Sequence, residues 1–204
     1  MVNQQTIKEY LLARDSYLIP VLDSCPFPRS HKSKDIYLAL VSSIVSQQLS
    51  IKAADTIFNR LLDLFEDRYP HPDKLRQIKT DKLRKAGLSQ QKAGYVKNVA
   101  EFALQGDGLR YGVLRHQTND DIINSLTQIK GVGRWTVEML LMFPLDRKDV
   151  IAVDDLGIQL AMKRLYGLDQ KGRELKVRMV EIAQRWKPYR SVVCKYLWHW
   201  KSMV

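Results

Sequence analysis

The sequence contains only two cysteines, Cys25 and Cys194, among its 204 residues. Two isolated thiols can neither build a disulfide framework nor supply the ligand set of an iron–sulfur cluster, which favours a reducing compartment. No apolar run approaches the roughly 18 residues that a membrane span requires. The first ten residues, MVNQQTIKEY, lack the apolar core of a signal peptide. We therefore expect an intracellular protein, cytoplasmic or nucleoid-associated, with no membrane partner.

Histidine clusters, internal repeats and sustained strand-like alternation are also missing. The 4 histidines are scattered without the spacing of metal ligands, which makes zinc chemistry an unattractive hypothesis. The one strand-like stretch, PLDRKDVIAV at 144–153, is short and isolated, so we interpret it as a connector.

Positive charge is abundant. The chain carries 33 Lys and Arg against 22 Asp and Glu, a formal net charge of +11, and its calculated pI is about 9.6. This excess favours a polyanionic partner, above all nucleic acid. A charge that serves solubility alone is the plainer alternative.

Helical patterns fill most of the chain. Helices are predicted within 35–65, 80–88, 89–108, 118–129, 134–143, 154–167, 172–186 and 189–202, and the total is about eight to ten. Ser50 is expected to cap a helix and to separate it from the preceding one, and Thr80, Ser89 and Thr118 are further candidate caps. The fold class is therefore all-α.

The segment IKGVGRWTVEMLL at 129–141 places two glycines between two apolar helical patterns, which is a helix-hairpin-helix arrangement. The glycines permit backbone angles closed to other residues and allow main-chain N–H groups to approach a phosphate. GVGRWT also matches half of a dinucleotide-binding motif, but Thr136 replaces the third glycine and no strand precedes the loop. An ordinary inter-helix turn remains the plain structural alternative.

Two adjacent carboxylates, Asp154 and Asp155, follow in IAVDDLG at the start of a predicted helix. One of them could simply cap that helix. The functional alternative is that a carboxylate stabilises positive charge developing on a sugar and positions water, as cleavage of a glycosidic bond requires.

Taken together, IKGVGRWTVEMLLMFPLDRKDVIAVDDLGIQ and RWKPYRSVVCKYLWHW resemble the 3-methyladenine DNA glycosylase II family of the helix-hairpin-helix-GPD superfamily. The likeness extends to DIYLALVSSIVSQQLSIKAA and LRKAGLSQQKAGYVKNVA, so it spans roughly residues 35 to 202. It implies a two-lobed helical fold with an active-site cleft between the lobes. One lobe would consist of residues 36–147, and the other of residues 1–35 together with 148–204. It also implies a monomer that acts on double-stranded DNA containing alkylated bases.

The resemblance assigns roles to particular residues. The catalytic carboxylate would be Asp155, with Asp154 as a cap or auxiliary acid, although lyase-type relatives would place the catalytic group at Asp154. Gln48, in SQQLS, would be the wedge that fills the gap left by an extruded base. The residues expected to contact DNA are Gln47, Gln48, Lys130, Gly131, Val132, Gly133, Arg134 and Thr136. The main-chain carbonyls of Thr127, Ile129 and Gly131 are candidate ligands for a structural Na+ or K+, and no other cofactor is expected.

The pocket for the extruded base would contain Trp135 and Trp198. Met139, four residues after Trp135, stands where some relatives have tyrosine. Indole rings attract cations, and N3- or N7-alkylated purines are cationic. Because Trp135 occupies the position at which bifunctional relatives carry a Schiff-base lysine, hydrolysis without lyase activity is expected. The rival hypothesis is a non-catalytic protein that binds damaged or distorted DNA.

Overall fold

The computed structural model describes residues 3–28 and 33–203. Within these residues the chain is all-α, as predicted, with thirteen α-helices and no strand. The bounds are α1 Gln4–Leu12, α2 Ile19–Ser24, α3 Ile36–Ser46, α4 Ile51–Leu62, α5 Pro72–Gln77, α6 Thr80–Lys85, α7 Gln90–Leu104, α8 Tyr111–Leu114, α9 Asn119–Leu126, α10 Arg134–Met142, α11 Leu156–Tyr166, α12 Gly172–Ala183 and α13 Arg190–Lys201. The predicted number was too low because α1, α2, α5 and α8 were not anticipated from the periodicity.

Local capping signals explain several helix starts. The side chains of Ser50, Ser89 and Thr118 each accept a hydrogen bond from a main-chain N–H in the first turn of the helix that follows, which confirms the predicted caps. Thr118 and Asp121 form a reciprocal capping box. The prediction for Thr80 was wrong: Thr80 is the first helical residue of α6, and Lys79 occupies the cap position without a side-chain bond.

The chain divides into two compact units. Unit 1 comprises Met1–His31 and Asp146–Val204, and unit 2 comprises Lys32–Leu145. No helix among the residues that the structure describes is long and apolar enough to cross a membrane.

Unit 1 contains α1, α2 and α11–α13, and its core lies where α11 packs on α13. The fully buried Trp186 donates its indole N–H to the buried carboxylate of Asp15, which also accepts the hydroxyl of Tyr166 at 2.8 Å. Burial raises the pKa of Tyr166 well above its ordinary value, and the neighbouring Asp15 carboxylate raises it further. Because Asp15 accepts hydrogen bonds from both Tyr166 and Trp186, we assign its carboxylate a structural role.

Unit 2 contains α3–α10, with the apolar helix α3 at its centre. Helix α3 packs against α4, α7 and α10, and its Leu40, Val41, Ile44 and Val45 are fully buried. This packing sets the end of α3 beside α7 and the start of α10, which positions the polar turn described below.

Candidate active site

The glycine hairpin joins α9 to α10 in unit 2. It is closed by a hydrogen bond from Val132 N to Ile129 O of 2.9 Å. Gly131 has φ +105°, and a Cβ built on it would collide with the ring of Tyr95. Glycine is therefore required at 131, both for its backbone angle and for the close approach of an aromatic ring.

Gly133 has a different reason for being small. Its φ is −89°, which any residue adopts, so the prediction that both glycines supply special backbone angles is wrong for Gly133. A Cβ at Gly133 would meet nothing within 4 Å. Gly133 is the N-cap of α10, and the space in front of it is open to a ligand.

The first turn of α10 presents main-chain N–H groups beside this open space. The first intrahelical bond of α10 runs from Val137 N to Gly133 O, so the N–H groups of Arg134, Trp135 and Thr136 precede the helical ladder. Lys130, in the hairpin itself, is exposed. Such a helix N-terminus favours an anion such as a DNA phosphate.

Two of the residues predicted to contact DNA have buried side chains. The side chain of Thr136 is buried, with 2% of the residue exposed, and its Oγ1 lies 3.4 Å from Gln47 Nε2. Val132 is also buried. Any contact of these two residues with DNA would therefore be made by the main chain, and it stays a prediction.

Arg134 is exposed, but it is already engaged in an ion pair. Its Nε lies 3.0 Å from Oε1 of Glu138, one helical turn later, and the Glu138 side chain is only 2% exposed. A buried carboxylate next to the first turn of α10 offsets part of the Arg134 charge, so Lys130 offers the less compensated cation at the hairpin.

The turn between α3 and α4 carries Gln47 and Gln48. Gln47 Nε2 points toward Gly131 O and Thr136 Oγ1, both at 3.4 Å, so this side chain links the turn to the hairpin. Gln48 is exposed and has φ +56°, a left-handed backbone conformation that is unfavourable for a residue with a Cβ. The strained residue is thus the one predicted to enter the DNA, and strain of this kind clusters at functional sites.

Apolar residues near Gln48 were missed from the sequence. Leu49 and Ile51 are exposed, Ile51 to 83%. Exposed apolar side chains near a wedge can pack against the faces of bases. The sequence signal for this exposed apolar surface was Ile51, the first residue of the helix capped by Ser50. This signal is weak, because apolar residues in helices are usually buried.

Asp155 is the N-cap of α11 in unit 1. Its Oδ1 accepts the main-chain N–H of Ile158 at 2.9 Å and the indole N–H of Trp198 at 2.6 Å. Asp155 is buried, with 8% of its surface exposed. Both donors fix the position of one oxygen of the carboxylate.

The suggestion that Asp154 is the helix cap is wrong. Asp154 is exposed and pairs with Lys176 of α12, whereas the cap is Asp155. The physical reason is positional: only Asp155 is placed so that its side chain reaches the N–H three residues later. The residue predicted to carry the catalytic carboxylate is therefore also the cap of α11.

The connector before Asp155 is fixed on α13, the helix that carries Trp198. Ser191 Oγ accepts the N–H of Val150, and Ser191 N donates to Lys148 O, both at 2.9 Å. Arg190 adds a bidentate ion pair with Asp149 at 2.6 and 3.0 Å. The predicted connector is thus confirmed as non-strand, and it is tied to the start of α13 by directional bonds.

Gly157 lies beside the Asp155–Trp198 hydrogen bond and was also missed. A Cβ at Gly157 would lie 3.0 Å from Asp155 Oδ1 and 3.0 Å from Trp198 Nε1. The absent side chain therefore leaves room for the indole to reach the carboxylate. A glycine two residues after a helix cap gives no specific sequence signal for this role.

The two remaining residues predicted for the base pocket, Trp135 and Met139, lie on α10 in unit 2. Both are half-buried, and they are one helical turn apart. Each therefore retains surface from which a base could be contacted. Their role in the base pocket stays a prediction.

The candidate cation site consists of carbonyl groups at the end of α9 and in the hairpin. Ile129 O accepts one hydrogen bond from Val132 N, and Gly131 O accepts one from Gln47 Nε2. A carbonyl oxygen has two lone pairs, so both can still ligate a hard cation. Within residues 3–28 and 33–203, no group of three His, Cys, Asp or Glu side chains is arranged to hold a metal ion.

Comparison with known proteins identifies the family. Residues 41–188 match the family described as HhH-GPD superfamily base excision DNA repair protein. DNA-3-methyladenine glycosylase 1 of Schizosaccharomyces pombe is 36% identical over 171 residues, which are 83% of this chain and 74% of that protein. The fold is similar to that of a 3-methyladenine DNA glycosylase from the same yeast in complex with abasic DNA. That structure has a TM-score of 0.84 and 30% identity, and the match covers 94% of each chain. A DNA-3-methyladenine glycosidase from Bacillus halodurans has a TM-score of 0.82 and 35% identity, covering 96% of this chain and 88% of that one.

The chain belongs to the HhH-GPD superfamily. Within it, the resemblance to the 3-methyladenine DNA glycosylases inferred from the sequence is confirmed.

Proposed function

We propose that this chain is a monofunctional DNA glycosylase that releases alkylated bases, such as 3-methyladenine and 7-methylguanine, from double-stranded DNA, and that it acts as a monomer. Its superfamily and its relatives support this activity. The observation that carries the proposal is the Asp155 carboxylate, held at the start of α11 by Ile158 N and Trp198 Nε1.

DNA is bound through its backbone by the hairpin. The N–H groups at the start of α10 receive a phosphate, and exposed Lys130 adds positive charge at the hairpin. Contacts of this kind position the protein without reading base sequence. An enzyme that must find lesions in any sequence context needs such a grip.

A Na+ or K+ ion is proposed at the carbonyls of Thr127, Ile129 and Gly131. When bound, it would supply positive charge that adds to the attraction between the hairpin and a phosphate. The hairpin itself is closed by the Val132–Ile129 hydrogen bond and by the packing of Tyr95 on Gly131.

Base extrusion is assigned to the turn between α3 and α4. Gln48 enters the stack from the exposed end of that turn, and Leu49 and Ile51 offer apolar surface to the neighbouring bases. A base leaves a duplex only at the cost of lost stacking and pairing, which a filling side chain offsets in part. The amide of Gln48 can also hydrogen-bond the partner base that has lost its pair.

The extruded base is recognised by its charge. Alkylation at N3 or N7 makes the purine cationic, and the electron-rich faces of Trp135 and Trp198 attract it by about 0.5–2 kcal/mol each. Met139 supplies a polarizable apolar wall. An unmodified purine is neutral and gains less from the same indoles.

The chemical step is hydrolysis of the N-glycosidic bond. The bond breaks with its electron pair leaving on the cationic base, which becomes neutral, while positive charge develops on the sugar. The Asp155 carboxylate stabilises that charge. A water oxygen then bonds to C1′, and its proton passes to Asp155 or to solvent, giving a free base and an abasic site. A single carboxylate suffices because the leaving base needs no protonation.

Strand cleavage is not expected to follow. A lyase uses an amine to form a Schiff base with the sugar. In this chain Trp135 occupies the position of that amine, and the nearby Lys130 belongs to the hairpin.

The test is release of methylated bases. A duplex with one 7-methylguanine is incubated with excess protein, and free base is measured by mass spectrometry while strand breaks are measured before and after alkali. We expect free base and breaks only after alkali. Breaks without alkali would refute the monofunctional assignment. Binding of the duplex without base release would refute the enzyme and leave a damaged-DNA binding protein.

A further inference from the structure

Three residues on one face of α7 support the two elements of unit 2 that are proposed to contact DNA. Lys92, Tyr95 and Asn98 are spaced three apart, which places them on neighbouring positions of one helix face. Asn98 Nδ2 donates to Lys130 O at 3.0 Å, and the ring of Tyr95 lies against Gly131. Lys92 reaches the turn that carries Gln48. Sequence reasoning assigned none of these three residues a role.

Lys92 completes the hydrogen bonding at the end of α3. The carbonyls of Ile44 and Ser46 accept main-chain N–H groups from the turn. The carbonyls of Val45 and Gln47 accept the Lys92 ammonium, at 2.7 and 2.5 Å. The carbonyl groups that a helix leaves unsatisfied at its C-terminus are thereby partnered, two of them by one side chain. A cation at this end also complements the helix dipole.

The ammonium group is partly withdrawn from water. Desolvation lowers the pKa of Lys92 below its ordinary value. Partial burial of a charge is unfavourable unless it gains strong hydrogen bonds. Two short bonds supply that gain, one to Val45 O in the last turn of α3 and one to Gln47 O in the turn that follows.

The residue that follows these two anchored carbonyls is Gln48, whose φ of +56° is costly for a side chain with a Cβ. Such a conformation persists only when the surrounding structure enforces it. Gln47, the residue before Gln48, is fixed by two hydrogen bonds, one accepted by its main-chain carbonyl from Lys92 and one donated by its side-chain amide to the hairpin.

We propose that Lys92 is a positioning residue for base extrusion, which fixes the turn between α3 and α4 so that Gln48 is presented in its left-handed conformation. The proposal rests on the glycosylase function and the wedge role of Gln48 proposed above. Lys92 itself touches neither the base nor the sugar. Its removal should reduce extrusion and leave bond cleavage intact.

Two substrates separate these steps. In the first, 7-methylguanine is paired with cytosine in a regular duplex. In the second, the same base lies in a bulge, where most of the cost of unstacking and unpairing has already been met. Single-turnover release is measured on both at saturating protein, and 2-aminopurine fluorescence next to the lesion reports extrusion directly.

We expect Lys92→Met to slow release from the paired duplex about tenfold and to change release from the bulge less than about twofold, since unstacking a base costs a few kcal/mol. Lys97→Met removes the same charge from another face of α7 and is the matched control. It should leave the ratio of the two rates at its wild-type value. Lys92→Cys should show the same defect, and treatment with 2-bromoethylamine should restore the paired rate by rebuilding an ammonium of similar length.

The wedge residue gives a second criterion. Gln48→Ala should also impair the paired substrate selectively, and adding Lys92→Met should cause no further loss, because both changes act through the same side chain. Additive losses would overturn the proposal, as would equal losses on the paired and bulged substrates. If Lys92→Met melts far below wild type, Lys92→Gln replaces it under the same criteria.

Failure of the underlying function would look different. If the wild-type protein releases no base from either substrate, the glycosylase proposal is refuted. If wild type is active and Gln48→Ala matches it on the paired duplex, the wedge is refuted and the role of Lys92 with it. If Gln48→Ala is impaired and Lys92→Met matches Lys97→Met, only the proposal for Lys92 is refuted.

Discussion

The indole N–H of Trp198 donates to Oδ1 of Asp155 across 2.6 Å, joining residues that are 43 positions apart in the sequence. The same oxygen accepts the N–H of Ile158. One tryptophan thus has two possible uses, an edge that orients the carboxylate and a face that can meet a cationic base. The first use is visible in the structure, and the second belongs to the proposed function.

Removing the indole N–H should reduce the rate of base release without unfolding the protein. A hydrogen bond to a charged group contributes about 1.5–3 kcal/mol, so we expect Trp198→Phe to lower the single-turnover rate about tenfold or more. Trp200→Phe is the matched control, since Trp200 lies against Arg164. Its effect on the rate should be about fivefold or less, since an aromatic contact contributes about 1 kcal/mol beyond the area that it buries. Equal losses in both variants would contradict the orienting role of Trp198.

Gly157→Ala tests whether space beside the Asp155–Trp198 bond matters. A methyl group there would lie 3.0 Å from both bonded atoms, so the pair must move by a few tenths of an ångström. Alanine favours a helix by up to about 1 kcal/mol relative to glycine, so melting temperature should stay or rise while base release slows. Gly94→Ala in α7, where a Cβ meets nothing within 4 Å, should gain stability and keep full activity. An unchanged rate for Gly157→Ala would sink this account of the glycine.

The two hairpin glycines should respond differently to alanine. At Gly131 the methyl meets the Tyr95 ring and the backbone has φ +105°, so we expect a loss of about 2 kcal/mol or more in folding stability. At Gly133 there is no obstacle, so the fold should persist while affinity for undamaged duplex DNA falls. Melting curves and fluorescence anisotropy distinguish the two effects. If Gly133→Ala binds DNA like wild type, no phosphate approaches this residue closely.

Much of the fold was predictable because capping residues and apolar periodicity, which are local features of the sequence, mark many of its helices. Ser50, Ser89 and Thr118 stand immediately before apolar periodic segments, where a hydroxyl can accept a first-turn N–H. Helices such as α8, with four residues, are too short for periodicity to reveal. Thr80 carried the same signal as Ser50, but the chain is already helical at Thr80.

The sequence allowed the candidate site residues to be selected, but it did not predict the contacts between them. Asp155 and Trp198 were both selected from the sequence, yet no local pattern indicates that they are hydrogen-bonded, since that depends on how α11 packs against α13. Gly157 and Lys92 were missed for the same reason. Both residues are identified by contacts with residues distant in sequence: Gly157 lies beside Trp198, and Lys92 bonds to Gln47.

The most direct test of the account is base release by Asp155→Asn compared with Asp154→Asn. Asparagine caps a helix about as well as aspartate, so Asp155→Asn should keep the fold while removing the negative charge that stabilises the sugar cation. On a duplex with one 7-methylguanine, we expect Asp155→Asn to lose about a hundredfold or more in single-turnover rate, the scale of a lost electrostatic stabiliser. Asp154→Asn, which breaks only the surface pair with Lys176, should remain within about threefold of wild type, since such pairs contribute little. Full activity in Asp155→Asn, or a loss confined to Asp154→Asn, would contradict the assignment of the catalytic carboxylate.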